Sequence, residues 1–508
     1  MKKNSWIRIG TLAATGAVAL LAVSRFPLWA RDGQPGITVS STPINRDSRS
    51  GNSYAPVVKK AAPSVVNIYS SRYVKQRFYH NPMMADPFFR QFFGDQFSGG
   101  VRERTRRENW LGSGIIVTAD GYILTANHVV EGADEVKVGI SNDKTEYTAK
   151  VVGTDSATDI AVLKINARNL SAITLGNSSQ LEVGDVVLAI GNPFGLGQTV
   201  THGIISALGR SLPDMDEGND PHRYQDFIQT DASINKGNSG GALVDAEGRL
   251  IGINDAIVSP SGTSAGIGFA VPINLARSVM EGFINGGRVA RGYLGINPQD
   301  VDAGLAQSFG VPNSGGALVT DVGPETPAAK AGLISGDVII AINDKPVSGA
   351  DNLRVTVSQL RPGSEIALKF IRNGAEKTVT ALLGELPAEV APLENQAASN
   401  VKVSKADMLD GVTVGDLDDR FRQQFQVPGA LNGAVVAAVN QDSNAAEAGL
   451  HPYDLIVEVN RQPVSNAEDA KRLCKASRSG KILVKIWRNF GNHVGTRYLS
   501  VDNTNHKK

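Results

Sequence analysis

One stretch of the C-terminal half occurs twice at a fixed spacing. Gly316-Ala317-Leu318-Val319 returns as Gly433-Ala434-Val435-Val436, Ala331-Gly332-Leu333 as Ala448-Gly449-Leu450, and Pro346-Val347-Ser348 as Pro463-Val464-Ser465. Asp337 pairs with Asp454 and Asn343 with Asn460, and every pair is 117 residues apart. A repeat held in register calls for two copies of one fold, because each apolar position must find the same place in its own core. The spacing predicts one copy over residues 288–385 and a second over 405–502, with a Pro/Ala/Glu/Asn-rich linker at 386–404 and a tail at 503–508. At 508 residues the chain is too long for one core, so the part before the repeat needs a domain of its own.

Chemistry is concentrated in that earlier part. Gly237-Asn238-Ser239-Gly240-Gly241 sets a serine among glycines, which let a substrate backbone approach and let successive N–H groups aim at one point. The pattern also reads Gly-x-Ser-x-Gly, the nucleophile elbow that lies between a strand and a helix, with a histidine further on. Here Ala242-Leu243-Val244, the turn Asp245-Ala246-Glu247-Gly248 and Leu250-Ile251-Gly252-Ile253-Asn254 predict strand, turn and strand instead. The later histidines, His451, His493 and His506, lie in another part of the chain. The remaining order is His, Asp, Ser. His80, His202 and His222 have unsuitable surroundings, whereas His128 ends the run Gly121-Tyr122-Ile123-Leu124-Thr125-Ala126-Asn127, a strand leading into a turn. Asp159 opens the strand Ile160-Ala161-Val162-Leu163-Lys164, while its neighbour Asp155 reads as a turn aspartate bonded to local backbone.

These residues resemble the HtrA/Deg family of trypsin-fold serine proteases. The resemblance rests on Thr125-Ala126-Asn127-His128-Val129-Val130, Asp159-Ile160-Ala161-Val162-Leu163, Gly191-Asn192-Pro193-Phe194-Gly195, Gln229 to Asn235 running into Gly237 to Gly241, and Gly266-Ile267-Gly268-Phe269-Ala270-Val271-Pro272. It covers the chain from about residue 56 to its end, with Ala126 departing from the Asn more usual two residues before the histidine. The fold it implies is mainly β: a trypsin-like double β-barrel protease domain over 56–287, then two PDZ domains, which are β-rich α+β units. Two six-stranded barrels fit residues from about 63 to 272, and Leu275, Val279, Met280, Phe283 and Ile284 then give one apolar face to a helix that Gly286-Gly287 ends. It implies catalytic roles for His128, Asp159 and Ser239, and an oxyanion hole at Gly237, Asn238 and Ser239. Ile234, Ile257 and Ile267 match the specificity pocket, so cleavage after Val, Ala or Ile is expected. In the first PDZ copy Tyr293, Leu294, Gly295 and Ile296 match the loop that captures a peptide's C-terminal carboxylate. The second copy, Asp410-Gly411-Val412-Thr413-Val414, departs from that loop, which leaves docking or assembly as its alternative role.

The resemblance implies an ATP-independent endopeptidase for unfolded or damaged proteins, working as a trimer or a larger cage and switched by peptide at the first PDZ copy. A chaperone-like binder with secondary protease activity and a membrane-anchored regulatory protease are its alternatives. Composition agrees with the protease. The formal net charge of +1 gives no broad footprint for nucleic acid, and no Gly-x4-Gly-Lys-[Ser/Thr] loop or metal-ligand cluster occurs, so no cofactor or metal is expected. Residues 1–30 carry Lys2, Lys3 and Arg8 ahead of an apolar stretch from Ile9 to Val23, shorter than the roughly 20 residues of a spanning helix. A signal peptide fits; Leu28, poorly suited to a position three before a cut, keeps an uncleaved inner-membrane anchor open. Both place the rest of the chain outside the cytoplasm, in a periplasm, beyond a flexible tether at 31–55. The single Cys474, in a helical stretch, reads as a small buried residue. An insertion at about 71–110 holds Phe88-Phe89-Arg90-Gln91-Phe92-Phe93, an aromatic pair repeated at i+4, and the mixed run Arg102 to Arg107, which reads as a solvated loop.

Overall fold

Short β-branched runs between glycine turns make strands from Val65 onward, as the alternation of apolar positions requires. The computed structural model describes residues 36–40, 42, 53–78, 102–140, 145–192, 197–211, 224–235, 237–257, 266–312, 315–387, 406–409, 411–477, 480–490 and 493–503. Phe88 to Phe93, His80, His222 and the whole of residues 1–35 lie outside them. After helix α1 (Ala55–Ala61) the first half comprises β1 (Val65–Phe78), β2 (Arg102–Ile116), β3 (Tyr122–Ala126), the short helix α2 (Asn127–Val130), β4 (Glu135–Gly139), β5 (Glu146–Thr148), β6 (Lys150–Asp155) and β7 (Ile160–Lys164). They form one sheet of seven strands in the order β5-β4-β1-β2-β3-β7-β6, where six strands were expected. The extra strand arises because the chain changes partners at Ala149: up to that residue, whose N–H still donates to Val136 O (2.9 Å), it follows β4, and from Lys150 it follows β7. β5 and β6 are separated by that residue alone yet occupy opposite edges, so the sheet must curl round on itself.

The second half, β8 (Val186–Gly191), β9 (Thr199–Arg210), β10 (Phe227–Thr230), β11 (Ala242–Asp245), β12 (Leu250–Ile257) and β13 (Gly268–Pro272), closes into a barrel of order β10-β13-β12-β11-β8-β9. Helix α3 (Ile273–Gly286) follows and ends at Gly287, whose left-handed φ of +68° lets its N–H reach Phe283 O. One apolar cluster joins Ile115, Leu124 and Val162 of the first half, Leu188 and Val244 of the second, and Leu275, Val279 and Met280 of α3. Each such side chain, fully buried, contributes about 1.5–3 kcal/mol, so the helix fastens the two halves into one body.

The mixed run Arg102 to Arg107 is not a loop. It belongs to β2, which pairs with β1 without a break from Val65↔Ile115 to Phe78↔Arg102. Near its base the exposed Arg107 bonds Glu135 at 3.1 Å and lies over the Tyr73 ring.

The repeat folds twice. The first copy holds β14 (Gly292–Tyr293), β15 (Ile296–Asp300), α4 (Ala303–Phe309), β16 (Ala317–Val322), α5 (Pro327–Lys330), β17 (Val338–Ile342), β18 (Lys345–Pro346), α6 (Ala350–Gln359), β19 (Glu365–Arg372), β20 (Ala375–Leu382) and β21 (Gly384–Glu385). The second holds β22 (Ala406–Leu409), β23 (Val412–Asp416), α7 (Asp419–Gln424), β24 (Ala434–Val439), α8 (Asn444–Glu447), β25 (Leu455–Val459), β26 (Gln462–Pro463), α9 (Ala467–Ala476), β27 (Lys481–Phe490) and β28 (His493–Asp502). Equivalent positions do equivalent work: Thr326 caps α5 and Ser443 caps α8, and the fully buried Asp337 and Asp454 each hold an arginine, Arg372 and Arg488, at 2.6 Å. Cys474 is buried in α9, and burial pushes its thiol up to about 12. The copies share a face where the Tyr498 ring meets Phe309 edge-on at 5.2 Å and its backbone exchanges two hydrogen bonds with the Gln299 side chain. No described helix is long and apolar enough to cross a membrane.

Candidate active site

The end of β3 runs directly into α2, which sets His128 at the rim of the first half with its side chain about half exposed. Asp159 lies just ahead of β7 and has a positive φ of +53°, a conformation that aspartate tolerates better than most residues. The turn aims the carboxylate back at α2. Oδ1 accepts the His128 main-chain N–H at 2.9 Å, Oδ2 lies 2.6 Å from His128 Nδ1, and the Asp159 carbonyl accepts the Asn127 N–H at 2.9 Å. Asp155, its sequence neighbour, is engaged elsewhere: Oδ2 accepts from Thr158 Oγ1 at 2.5 Å and from the Arg291 guanidinium. It therefore bonds side chains, not the local backbone that its turn-like setting suggests.

A second carboxylate faces the ring. Asp255 on β12 is buried, and its Oδ1 lies 3.7 Å from His128 Nδ1. Burial draws the imidazolium down, but the hydrogen bond and charge of Asp159, with the charges of Asp255 and Glu131, outweigh it and hold the His128 pKa above its usual value. His128 Nδ1 and oxygens of Asp159 and Asp255 lie within 4.8 Å of one another, a spacing that a cation could share. The 2.6 Å contact is nevertheless a proton's distance; two ligands about 2.0–2.2 Å from zinc sit further apart.

Ser239 lies in the turn 237–240 that leads into β11. Gly237 and Gly240 have φ of +99° and +77°. A Cβ on Gly240 would sit 2.3 Å from Ser113 O and 2.2 Å from Thr125 Oγ1, so only glycine fits there. The turn is stitched to both halves. The Ser113 N–H donates to Ser239 O (2.9 Å), Ser113 Oγ donates to Gly237 O (2.5 Å) and accepts from Asn192 N–H (2.8 Å), and Gly240 N–H donates to Asn254 O (2.7 Å). Asn254 adjoins Asp255, so one strand braces the serine turn and faces the histidine ring. The Asn238 N–H donates to Asn235 O at 2.9 Å, whereas the Ser239 N–H has no acceptor among the described residues. Nor does a hydrogen bond join Ser239 Oγ to His128 there.

The expected pocket residues are dispersed in character. Ile234 is buried in the second barrel's core beside Gly268, Ile267 is exposed, and the Ile257 side chain lies outside the description. In the first repeat copy Leu294 is buried, Tyr293 and Ile296 are half-buried, and Gly295 has φ +80°. The carbonyls of Leu294 and Gly295 accept the N–H groups of Ala328 and Gly323, both at 2.9 Å, which fixes the loop's shape. Asp255 and Ser113 escaped the sequence reading. Asp255 had one signal, a charge inside the apolar run Ile251 to Ile257; Ser113 had none.

Comparison with known proteins places names beside this geometry. A trypsin-like peptidase domain family matches residues 112–253, and PDZ domain families match 292–383 and 435–488. A probable periplasmic serine endoprotease, DegP-like, from Pseudomonas fluorescens is 40% identical over 432 residues, covering 83% of this chain and 88% of the relative. A DegP-like protein of Chlamydia trachomatis is 40% identical over 447 residues, covering 85% and 86%. A probable periplasmic serine protease do/HhoA-like of Haemophilus influenzae is 40% identical over 441, covering 85% and 89%. Among solved structures, the HtrA-type protease AlgW with tripeptide is 44% identical, covers 66% of this chain and 98% of its own, and has a TM-score of 0.50.

Proposed function

The chain belongs to the HtrA/DegP family of serine endoproteases, and on that premise we propose that His128, Asp159 and Ser239 are its catalytic triad. The observation that carries the assignment is the 2.6 Å contact of His128 Nδ1 with Asp159. It leaves Nε2 as the nitrogen free to act as base. Ser239 Oγ attacks the peptide carbonyl carbon as His128 Nε2 removes its proton. The charge that forms on the carbonyl oxygen is received by the N–H groups of Gly237 and Ser239, with Asn238 holding the turn between them. The C–N bond then breaks, His128 returns the proton to the departing amine, and water reverses the sequence to free the acid. Asp159 stabilises the imidazolium throughout.

Ile234, Ile257 and Ile267 belong to the proposed specificity pocket, which takes small aliphatic side chains. Unfolded or damaged polypeptides are the proposed substrates, taken without ATP. The loop Tyr293 to Ile296 is proposed to hold peptide C-termini, and a homotrimer in the periplasm is the proposed working form. Support for the compartment comes from relatives named periplasmic and from the signal-peptide pattern of residues 1–30. Labelling the folded protein with a fluorophosphonate in the presence of peptide tests the core of this reading. Ser239 should carry the label, and Ser239→Ala should lose peptide hydrolysis by about 10⁶-fold, as removal of a triad serine does. A label on another residue, or residual activity within tenfold of the parent, would sink the assignment.

A further inference from the structure

The two PDZ copies differ at the edge where such a domain accepts a ligand strand. In the first copy β15 is the outermost strand of its sheet, with α6 packed beside it. Its equivalent in the second copy is β23. Gly295 precedes β15 and Gly411 precedes β23, both left-handed (φ +80° and +74°). Each glycine carbonyl accepts one N–H, from Gly323 at 2.9 Å and from Asn440 at 2.8 Å, and these donors are again 117 residues apart. The helices α6 and α9 keep the same offset.

β23, however, is not the outermost strand. β22 pairs with it antiparallel, Ala406 opposite Val414 and Leu409 opposite Val412, and α9 packs against β22. Leu409 is 8% exposed and joins Ala470, Leu473 and Cys474 of α9 in one apolar cluster. The corresponding residues of the first copy turn the other way: Gly292 and Tyr293 form β14 and pair with Glu385 and Gly384, clear of the β15 edge.

We propose that β22 is a built-in ligand of the second PDZ domain, filling as an added strand the groove between β23 and α9 that a free peptide would need. A bound peptide runs antiparallel to the accepting strand, its last residue beside the glycine loop and its last side chain in an apolar pocket. β22 has that direction, and Leu409 has that place. Where a free peptide would end in a carboxylate, this chain continues through Gly411 into β23. A strand tethered so closely competes at an effective concentration in the mM range or above, which a weakly binding free peptide does not overcome. β15 is then the one open augmentation edge of the two, and the second copy serves to dock, through the Tyr498 face, onto the first. The statement about β22 stands apart from peptide capture at Tyr293 to Ile296.

Two measurements on full-length Ser239→Ala protein test it. Without peptide, amide exchange followed by mass spectrometry should be at least tenfold slower in β23 than in β15; equal rates at the two strands would overturn the proposal. In the second, a fluorescein-labelled decapeptide ending in Ala-Ala-Val with a free carboxylate should bind once per chain. Gly295→Val, whose Cβ would meet Thr326 Cβ at 2.3 Å, should abolish that binding. Adding Asp407→Pro and Leu409→Asp to release β22 should restore it, now crosslinked to β23. Peptide crosslinked to β23 while β22 is intact would also overturn the proposal. Failure of every variant to bind would count against the first-copy loop alone, and the exchange rates would still decide the fate of β22.

Discussion

His128 lies between two carboxylates that do different things. Asp159 holds the ring by a 2.6 Å hydrogen bond, and Asp255, buried and 3.7 Å from the same nitrogen, acts on it through charge. Both raise the ring's pKa, so neutralising Asp255 lowers it, and the base is then unprotonated down to a lower pH. Asp255→Asn should therefore move the acid limb of kcat/KM against pH to lower pH. Its plateau should stay within about tenfold, because Asp159, whose loss costs about 10⁴, still orients the ring. A pH profile on a fluorogenic peptide checks this, and an unmoved limb would remove Asp255 from the site. At this scale chain order and strand ends led the sequence reading to His128, Asp159 and Ser239, and the structure brings the first two into contact. Neither led to Asp255, because its nearness to the ring depends on how β12 crosses behind α2, which no local pattern records.

Elements carry the site as a set of braces, and the serine turn depends on β2 as well as on its own barrel. Ser113 joins Gly237 O and Asn192 N–H through one hydroxyl, and it is fully buried. Ser113→Ala would leave those two main-chain groups without that partner, at about 1–3 kcal/mol each. The expected result is a lower melting temperature, with kcat reduced and KM within about twofold, since the loosened turn carries the proposed oxyanion donors and not the substrate's remote contacts. Thermal unfolding and steady-state kinetics on one preparation check both halves of that statement. Helix α3 and the strand-turn-strand after Ser239 were legible because their periods are local. The seventh strand of the first sheet was not, since it depends on a change of partner at Ala149, from β4 before it to β7 after it, that no local pattern marks. The ribbon Arg102 to Arg107 was misread for a similar reason: its charges look like a loop until Arg72 to Phe78 is laid opposite.

Across the whole molecule, the protease domain and the first PDZ domain meet at an acidic contact. Ser211 Oγ donates to Asp351, which also accepts from Arg354 at 2.7 Å, while Asp226 lies half-buried near that same carboxylate. Burial and the charge of Asp351 push Asp226 up to about 6. The part of that shift owed to Asp351 exists only in the docked arrangement, which therefore binds the proton more tightly than the separated one. Docking should strengthen as pH falls through about 6 and level off below the ordinary carboxylate value of 3.8. Small-angle scattering at pH about 7.5 and about 5 should show the parent contracting, and Asp226→Asn should be contracted at both; a parent radius unchanged between the two would refute it. Nothing in the sequence pointed to this contact, whose partners come from separate domains. The β1–β2 ribbon has a last consequence. β4 pairs with β1 only from Asn67 to Ser71, and β3 with β2 only at Ile115 and Ile116, so beyond Arg72 neither edge of the ribbon has a partner strand among the described residues. Two strands alone are marginal in water, and open edges invite a third. A strand of suitable register laid along either edge would therefore complete a ladder that the pair by itself leaves unfinished.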